Sequence, residues 1–497
     1  MSSTQEQTPT DGHDGDAVPP AVPPPAREPA AARPATTARP ERSWREVRTL
    51  LVRLHFYAGV FVAPFLLVAA LTGLAYTFTP QLDRLVHGDV LYVERTAGEP
   101  RPLAEQIAAA RAAHPEGTLA SVITPSGPED TTRVVLSVPE LGDKQRTVFV
   151  DPYTGRVRGE LTTWFGSTPL TTWLDDLHRN LHLGETGRLY SEVAASWLWV
   201  IVAGGLVLWI GRARGQRAAT ARGVLLPDRS ARGVRRTRTR HAATGVWLAL
   251  GLLFLSATGL TWSHYAGERF GLLLDAVKGQ APALDTALPG AGTGAGEEHE
   301  GHAGHTGGRT TASADPADFD TVLAVARDAG LGGRVELTPP ADAATAWTVA
   351  QDDDRWPVHY DRVAVDAAAG QVTSESRWAD HPALAKLSKL GVQGHMGLLF
   401  GLVNQIVLAV VALGLILVIG WGYRMWWQRR PVREDRTAPF GRAPARGTWR
   451  RLPVLALVLG IPAVVALGWA LPVLGVTLLG FLVLDVVVGL RRGVRTG

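Results

Sequence analysis

LHFYAGVFVAPFLLVAALTGL at 54–74 and HAATGVWLALGLLFLSATGLTWS at 241–263 are two copies of one pattern, and they decide the fold. Each opens on a histidine, His55 or His241, and closes on Thr-Gly-Leu, at Thr72-Gly73-Leu74 or Thr258-Gly259-Leu260, with the same spacing and no gap. The residues between are apolar over about 20 positions, the length a helix needs to cross roughly 30 Å of hydrocarbon. A second match follows each copy at a distance. His182-Leu183-Gly184 leads into one apolar run and His395-Met396-Gly397 into another, and the two runs end alike, at Trp209-Ile210-Gly211-Arg212 and Trp421-Gly422-Tyr423-Arg424. The repeated unit is therefore span, polar module, span.

Working outward, six apolar windows emerge: Phe56–Phe78, Val193–Ile210, Ala242–Trp262, Leu398–Trp421, Pro453–Leu471 and Pro472–Leu490. Arginine is concentrated before the first, between the second and third, after the fourth and at the chain end. Positive residues near span ends stay in the cytoplasm, so the reading is a multi-pass protein of the inner, cytoplasmic membrane with both termini cytoplasmic. The expected order is a disordered Pro/Ala-rich tail over 1–44, a first span in 45–79, an external module in 80–185 and a second span in 186–211. An Arg-rich loop over 212–240 precedes a third span in 241–263. A second external region in 264–394, a fourth span in 395–423, a basic loop over 424–452 and a hairpin of two spans in 453–490 complete it. The fold class expected is a polytopic α-helical membrane protein of about six transmembrane helices with two small α+β extracytoplasmic modules.

Composition narrows the chemistry. Fifty Lys and Arg against 46 Asp and Glu leave a net charge of +4, too little to argue for nucleic acid. With no cysteine, disulfides, thiolate metal sites, iron–sulfur clusters and covalently attached haem are excluded. Any metal falls to His, Met or carboxylate.

Each module reads as one helix followed by strands. In the first, Pro102–Ala113 is the helix and Leu119–Thr124, Arg133–Val138 and Arg146–Val150 are strands; in the second, Phe319–Ala329 precedes Arg334–Thr338, Ala346–Ala350 and Val358–Val365. A turn closes each set, Asp151-Pro152-Tyr153-Thr154-Gly155 and Asp366-Ala367-Ala368-Ala369-Gly370. VFVDPYTGRV at 148–157 resembles the PepSY domain, and the second module keeps the Asp, Gly and Val of that pattern. Between the third span and the second module, GAGTGAGEEHEGHAGHTGG carries His299, His302 and His305 with Glu297, Glu298 and Glu300. Two readings are expected for this run: a flexible spacer, or weak, exchangeable divalent-metal capture.

Four histidines recurring at span ends in two symmetric pairs are functional candidates, because ionisable groups at membrane depth are costly. His55 and His241 are expected to meet near the cytoplasmic face, and His182 and His395 near the external one, with His178 one turn earlier on the same side as His182. Neutral imidazoles on facing helices suit the axial positions of haem b iron, one or two haems per chain. Ala58, Gly59, Ala242 and Gly245, and outside Gly184 and Gly397, are small enough to leave room for a flat macrocycle.

The segments 54–74, LHRNLHLGETGRLYSEVAASW at 177–197, 241–263 and GHMGLLFGLVNQIVLAVVALGLILVIGWGYRMWWQRRP at 394–431 together resemble the PepSY-associated transmembrane family, over residues 45–430. That family includes iron-regulated inner-membrane proteins and ferric-siderophore reductases. The resemblance marks the second span by Leu177-His178-Arg179, which puts the ligand at His178, whereas the internal repeat favours His182; both stay candidates. It implies a haem-containing reductase passing electrons outward to ferric iron, in a siderophore complex, at the external face. The partners it implies are the lipid bilayer, a ferric chelate or a periplasmic-side protein, and an electron donor supplied from elsewhere, since no nucleotide-binding motif is visible. The alternatives are a non-enzymatic PepSY-type regulator or partner-binding scaffold, and a metal-uptake membrane protein.

Overall fold

The computed structural model describes residues 39–95, 98–215, 225–288, 314–428 and 454–493. The expected tail and the Glu/His run at 297–305 lie outside the described residues, as do parts of the two basic loops.

The first repeat opens with helices α1 (Arg39–Phe61), α2 (Ala63–Thr77), α3 (Thr79–Leu91) and α4 (Leu103–Ala113). Strands β1 (Thr118–Ile123), β2 (Thr132–Ser137), β3 (Gln145–Val150) and β4 (Val157–Thr163) follow, and α5 (Pro169–Asn180) and α6 (Gly184–Gly215) close the repeat. The second repeats the order almost element for element. It runs α7 (Gly233–Thr261), α8 (Tyr265–Ala276), α9 (Pro316–Asp328), β5 (Val335–Thr338), β6 (Trp347–Gln351), β7 (Arg362–Asp366), β8 (Gln371–Ser376), α10 (Ala383–Met396) and α11 (Leu402–Gln428). Helices α12 (Val454–Ala470) and α13 (Pro472–Gly493) form the terminal hairpin.

Three helices, α6, α7 and α11, are long and apolar enough to cross a membrane, and a fourth candidate is the pair α1–α2. The apolar parts of α12 and α13 are shorter, so six full-length spans are not what the described helices provide. The first span also departs from expectation. It is not one helix but two, bent by 56° at Val62. Pro64 is the cause: it has no N–H, so the carbonyl of Val60 loses its helical partner. The Tyr423 hydroxyl of α11 donates to that carbonyl at 2.9 Å, and the Tyr190 hydroxyl donates to Phe65 O at 3.2 Å. The second repeat has no proline there, and α7 runs unbroken.

The four spans pack as a ring, with α6 between α1–α2 and α7, and α11 between α7 and α2. Ala58, Val62, Leu66, Trp197, Leu252 and Val411 are among the residues buried at its centre. Helices α7 and α11 approach closely over glycines: a Cβ on Gly414 would stand 2.5 Å from Leu248 Cδ1. Glu192, buried within α6, is a structural acid; its carboxylate accepts the Tyr265 and Ala266 N–H groups at the start of α8.

The two expected modules are one. All eight strands form a single antiparallel sheet in the order β4-β3-β2-β1-β5-β6-β7-β8, joined where Val122 and Ile123 of β1 pair with Leu337 and Glu336 of β5. Helices α4 and α9 pack side by side on one face over a continuous core that includes Ile107, Val134, Val148, Phe319, Leu337 and Val363. Joining two edge strands removes unpaired backbone groups from both halves. Asp320 of α9 also caps α4, its carboxylate accepting Leu103 N at 2.7 Å and Ala104 N at 3.0 Å. The two β-turns match despite their different sequences: Asp151 accepts the N–H groups of Tyr153 and Thr154, and Asp366 those of Ala368 and Ala369. Gly155 and Gly370 close them at φ 71° and 64°.

Candidate functional site

The fold brings four histidines into two pairs at opposite ends of the bundle. His55 of α1 and His241 of α7 have ring centres 6.2 Å apart with planes at 80°. His178 of α5 and His395 of α10, at the end nearer the sheet, have ring centres 6.4 Å apart with planes at 53°. Along α7, from His241 to the Thr258 that holds His395, the rise is about 25 Å.

Each ring is anchored through Nδ1, and the anchors repeat. His55 Nδ1 donates to Ile201 O at 3.0 Å and His241 Nδ1 donates to Val418 O at 3.0 Å. His178 Nδ1 meets Thr72 Oγ1 at 2.9 Å, and His395 Nδ1 meets Thr258 Oγ1 at 2.7 Å. A ring that donates from Nδ1 keeps the lone pair on Nε2.

The glycines that face these rings are not the ones beside them in sequence. Gly59, Gly245 and Gly184 have open space where a Cβ would go. The close approaches come from the neighbouring helix, one turn after each carbonyl anchor or one residue after each threonine. A Cβ would stand 3.2 Å from His55 Cε1 at Gly205, 3.8 Å from His241 Cε1 at Gly422, 3.0 Å from His178 Cε1 at Gly73 and 3.5 Å from His395 Cε1 at Gly259. Thr-Gly was visible as a repeat mark, but its contact with a histidine more than a hundred residues away carried no local signal. A cavity of about 200 Å³ beside His55 is lined by Leu51, Leu54, Ala58, Trp199 and Gly204 among others.

His182 is placed elsewhere. Helix α5 ends at Asn180, and Leu181 and His182 both take left-handed backbone conformations, φ 54° and 55°. The helical turn that would carry His182 to the face of His178 is therefore absent. Its ring lies on Trp173, centres 5.0 Å apart, and lines a separate cavity of about 270 Å³ with Lys144, Trp164, Thr172 and Asp176. The partner of His395 is His178.

The family model for the PepSY-associated TM region matches residues 52–429. The chain belongs to that family. No curated protein matches it. The matched region holds both repeats and all four paired histidines, and it leaves out the α12–α13 hairpin.

Among the described residues no group of three or more His, Asp or Glu side chains is gathered as a metal site. Each pair brings two imidazoles together. A bare zinc ion takes four ligands, whereas iron already held by the four nitrogens of a macrocycle needs two. Two imidazoles whose Nε2 atoms bond one metal in line, at roughly 2.0–2.1 Å each, have ring centres a little over 6 Å apart. Both pairs have that separation, and both are too widely spaced for a direct nitrogen–nitrogen hydrogen bond.

Proposed function

We propose that this member of the family is a transmembrane reductase with one haem b at each histidine pair, passing electrons outward to ferric iron held in a siderophore-type chelate. The observation that carries the reading is the duplicated pair: two imidazoles at the separation of a shared metal, each anchored through Nδ1, occurring once at each end of one helix bundle. The residues fit the group. His55 with His241, and His178 with His395, would hold its iron through their imidazole nitrogens, and Gly73, Gly205, Gly259 and Gly422 keep side-chain bulk off the rings.

Bound haem supplies one-electron chemistry within a low-dielectric bundle. The chain's own residues do the rest. Ile201 and Val418 carbonyls and the Thr72 and Thr258 hydroxyls hold the four rings, and the apolar packing of Leu66, Trp197, Leu252 and Val411 excludes water between the two ends. The joined sheet covers the end that carries His178 and His395 and is the docking surface for the chelate. Fe(II) binds hard oxygen ligands less tightly than Fe(III), so one electron releases the metal.

In this reading the sheet faces outward and both termini are cytoplasmic, in keeping with the arginine distribution; α12 and α13 add a short pair of spans beside α6. The membrane is the cytoplasmic one, and the donor is a reductant acting from the opposite end to the sheet. Vesicles enclosing a chemical reductant, with the chain in the membrane and a ferric chelate outside, test this. Fe(II) captured outside by an impermeant chromogenic chelator should rise well above protein-free vesicles and fall when His55 or His241 is replaced by Ala. Equal rates with and without the protein would overturn the reading.

A further inference from the structure

The two ends of the bundle anchor their histidines by different chemistry. The His55–His241 end uses backbone carbonyls, which accept only, so each Nδ1 carries the hydrogen. The sheet end uses side-chain hydroxyls, which donate or accept. An unconstrained hydroxyl would let His178 and His395 choose either tautomer, including one with the proton on Nε2 that cannot ligate a metal.

The hydroxyls are not unconstrained. Thr72 Oγ1 donates its one hydrogen back along its own helix, to Val68 O at 2.9 Å and Ala69 O at 3.2 Å. Thr258 Oγ1 does the same, to Phe254 O at 2.8 Å and Leu255 O at 3.4 Å. With its hydrogen committed, each oxygen has only lone pairs left for the imidazole at 2.9 or 2.7 Å. In that arrangement His178 and His395 donate from Nδ1 and keep the lone pair on Nε2. The relay is helix carbonyl, threonine hydroxyl, imidazole, and it occurs identically in both repeats although the bend in the first span makes the surrounding helices differ.

The geometry points to Thr72 and Thr258 as positioning residues that fix the tautomer and orientation of the His178–His395 pair, and so hold it ready to ligate. The ligation part of this inference rests on the haem reading; the tautomer part does not. Ser shares the hydroxyl and should share the role. Val is nearly isosteric with Thr and removes it, leaving Nδ1–H without an acceptor and the ring free to turn.

The test compares T72V and T258V with T72S and T258S in the full-length protein. Loss of an outer-shell partner to a metal-bound histidine weakens retention about 10–100-fold. The valine variants should lose haem from the sheet-end site, or hold it at a raised midpoint potential because the imidazole is a poorer donor, while the His55–His241 site keeps its spectrum and potential. The serine variants should restore both. A second readout needs no haem: nitrogen-15 spectra of histidine-labelled, haem-depleted protein should show His178 and His395 protonated on Nδ1 in the wild type and in the serine variants, and a tautomer mixture in the valine variants. Valine variants with unchanged occupancy, potential and tautomer would overturn the positioning role. A wild type that never binds haem yet shows the locked tautomer would overturn the haem reading and leave the relay standing.

Discussion

Gly73 and Gly259 occupy equivalent places in the two repeats, and the structure predicts that alanine is damaging at one and tolerated at the other. At Gly73 a new Cβ would stand 3.0 Å from His178 Cε1, 3.4 Å from Nδ1 and 3.6 Å from Nε2. Comfortable carbon–carbon contact begins at about 3.5 Å, so the ring must retreat by roughly 0.5 Å. A retreat of that size along the hydrogen bond stretches the 2.9 Å contact to Thr72 beyond the usual limit of about 3.2 Å. At Gly259 the same Cβ meets His395 Cε1 at 3.5 Å, ordinary contact. The displaced anchor forfeits a net hydrogen bond of about 1 kcal/mol. The consequent misalignment of the ligand weakens haem retention at that pair about 10–100-fold. Helix propensity works the other way, since alanine is favoured over glycine by about 0.8–1.0 kcal/mol in a helix, so a loss cannot be laid to a weakened helix. Haem per chain and the reduced-minus-oxidised spectrum of G73A and G259A, measured on protein of equal thermal stability, provide the assay. G73A should lose the sheet-end haem and G259A keep it. Equal loss or equal retention in the two would refute the reasoning from ring contact.

Three further outcomes follow from particular contacts. H178A should abolish the sheet-end haem signal while H182A leaves it intact, because His182 lies tilted against Trp173 outside the pair; the same spectra decide it. D320A removes the acceptor for two N–H groups at the start of α4 and should cost about 0.5–2 kcal/mol, read as faster amide exchange at Val122 and Ile123 where the half-sheets join. Burial, then Asp352, pushes the Asp354 carboxyl above the usual range, against the pull of the Tyr360 hydroxyl donating at 2.6 Å. The folded chain therefore holds a proton that the unfolded chain has released. Its stabilisation is complete below the unfolded value of about 3.9 and is lost as pH rises through the higher folded value. D354N should flatten that part of the decline in melting temperature with pH.

Much of this was legible in the sequence because apolar length and exact repetition are local signals. The apolar runs of α1–α2, α6, α7 and α11, the Asp-to-Gly turns and the recurrence of His55 in His241 all lie on short, contiguous stretches. The junction of β1 with β5 was not legible, since each module read alone has a self-consistent helix and strand set, and only a contact across more than two hundred residues joins them. The bend at Val62 was foreshadowed by Pro64, yet a proline early in an apolar run does not say whether the run breaks. Choosing between His178 and His182 required knowing that α5 stops at Asn180 and that two successive residues turn left-handed, a backbone choice that Leu181 and His182 do not advertise. Likewise Thr72 and Thr258 stood out as repeat marks, while the direction of their hydroxyls is a property of the packed bundle.

The most direct test is the haem content and reduced-minus-oxidised spectrum of the purified full-length protein, expressed with ample haem, beside H55A/H241A and H178A/H395A double variants. Two b-type haems per chain are expected in the wild type, with each double variant losing one and keeping the other. A folded, colourless wild-type protein, or a haem that survives both double variants, would contradict it.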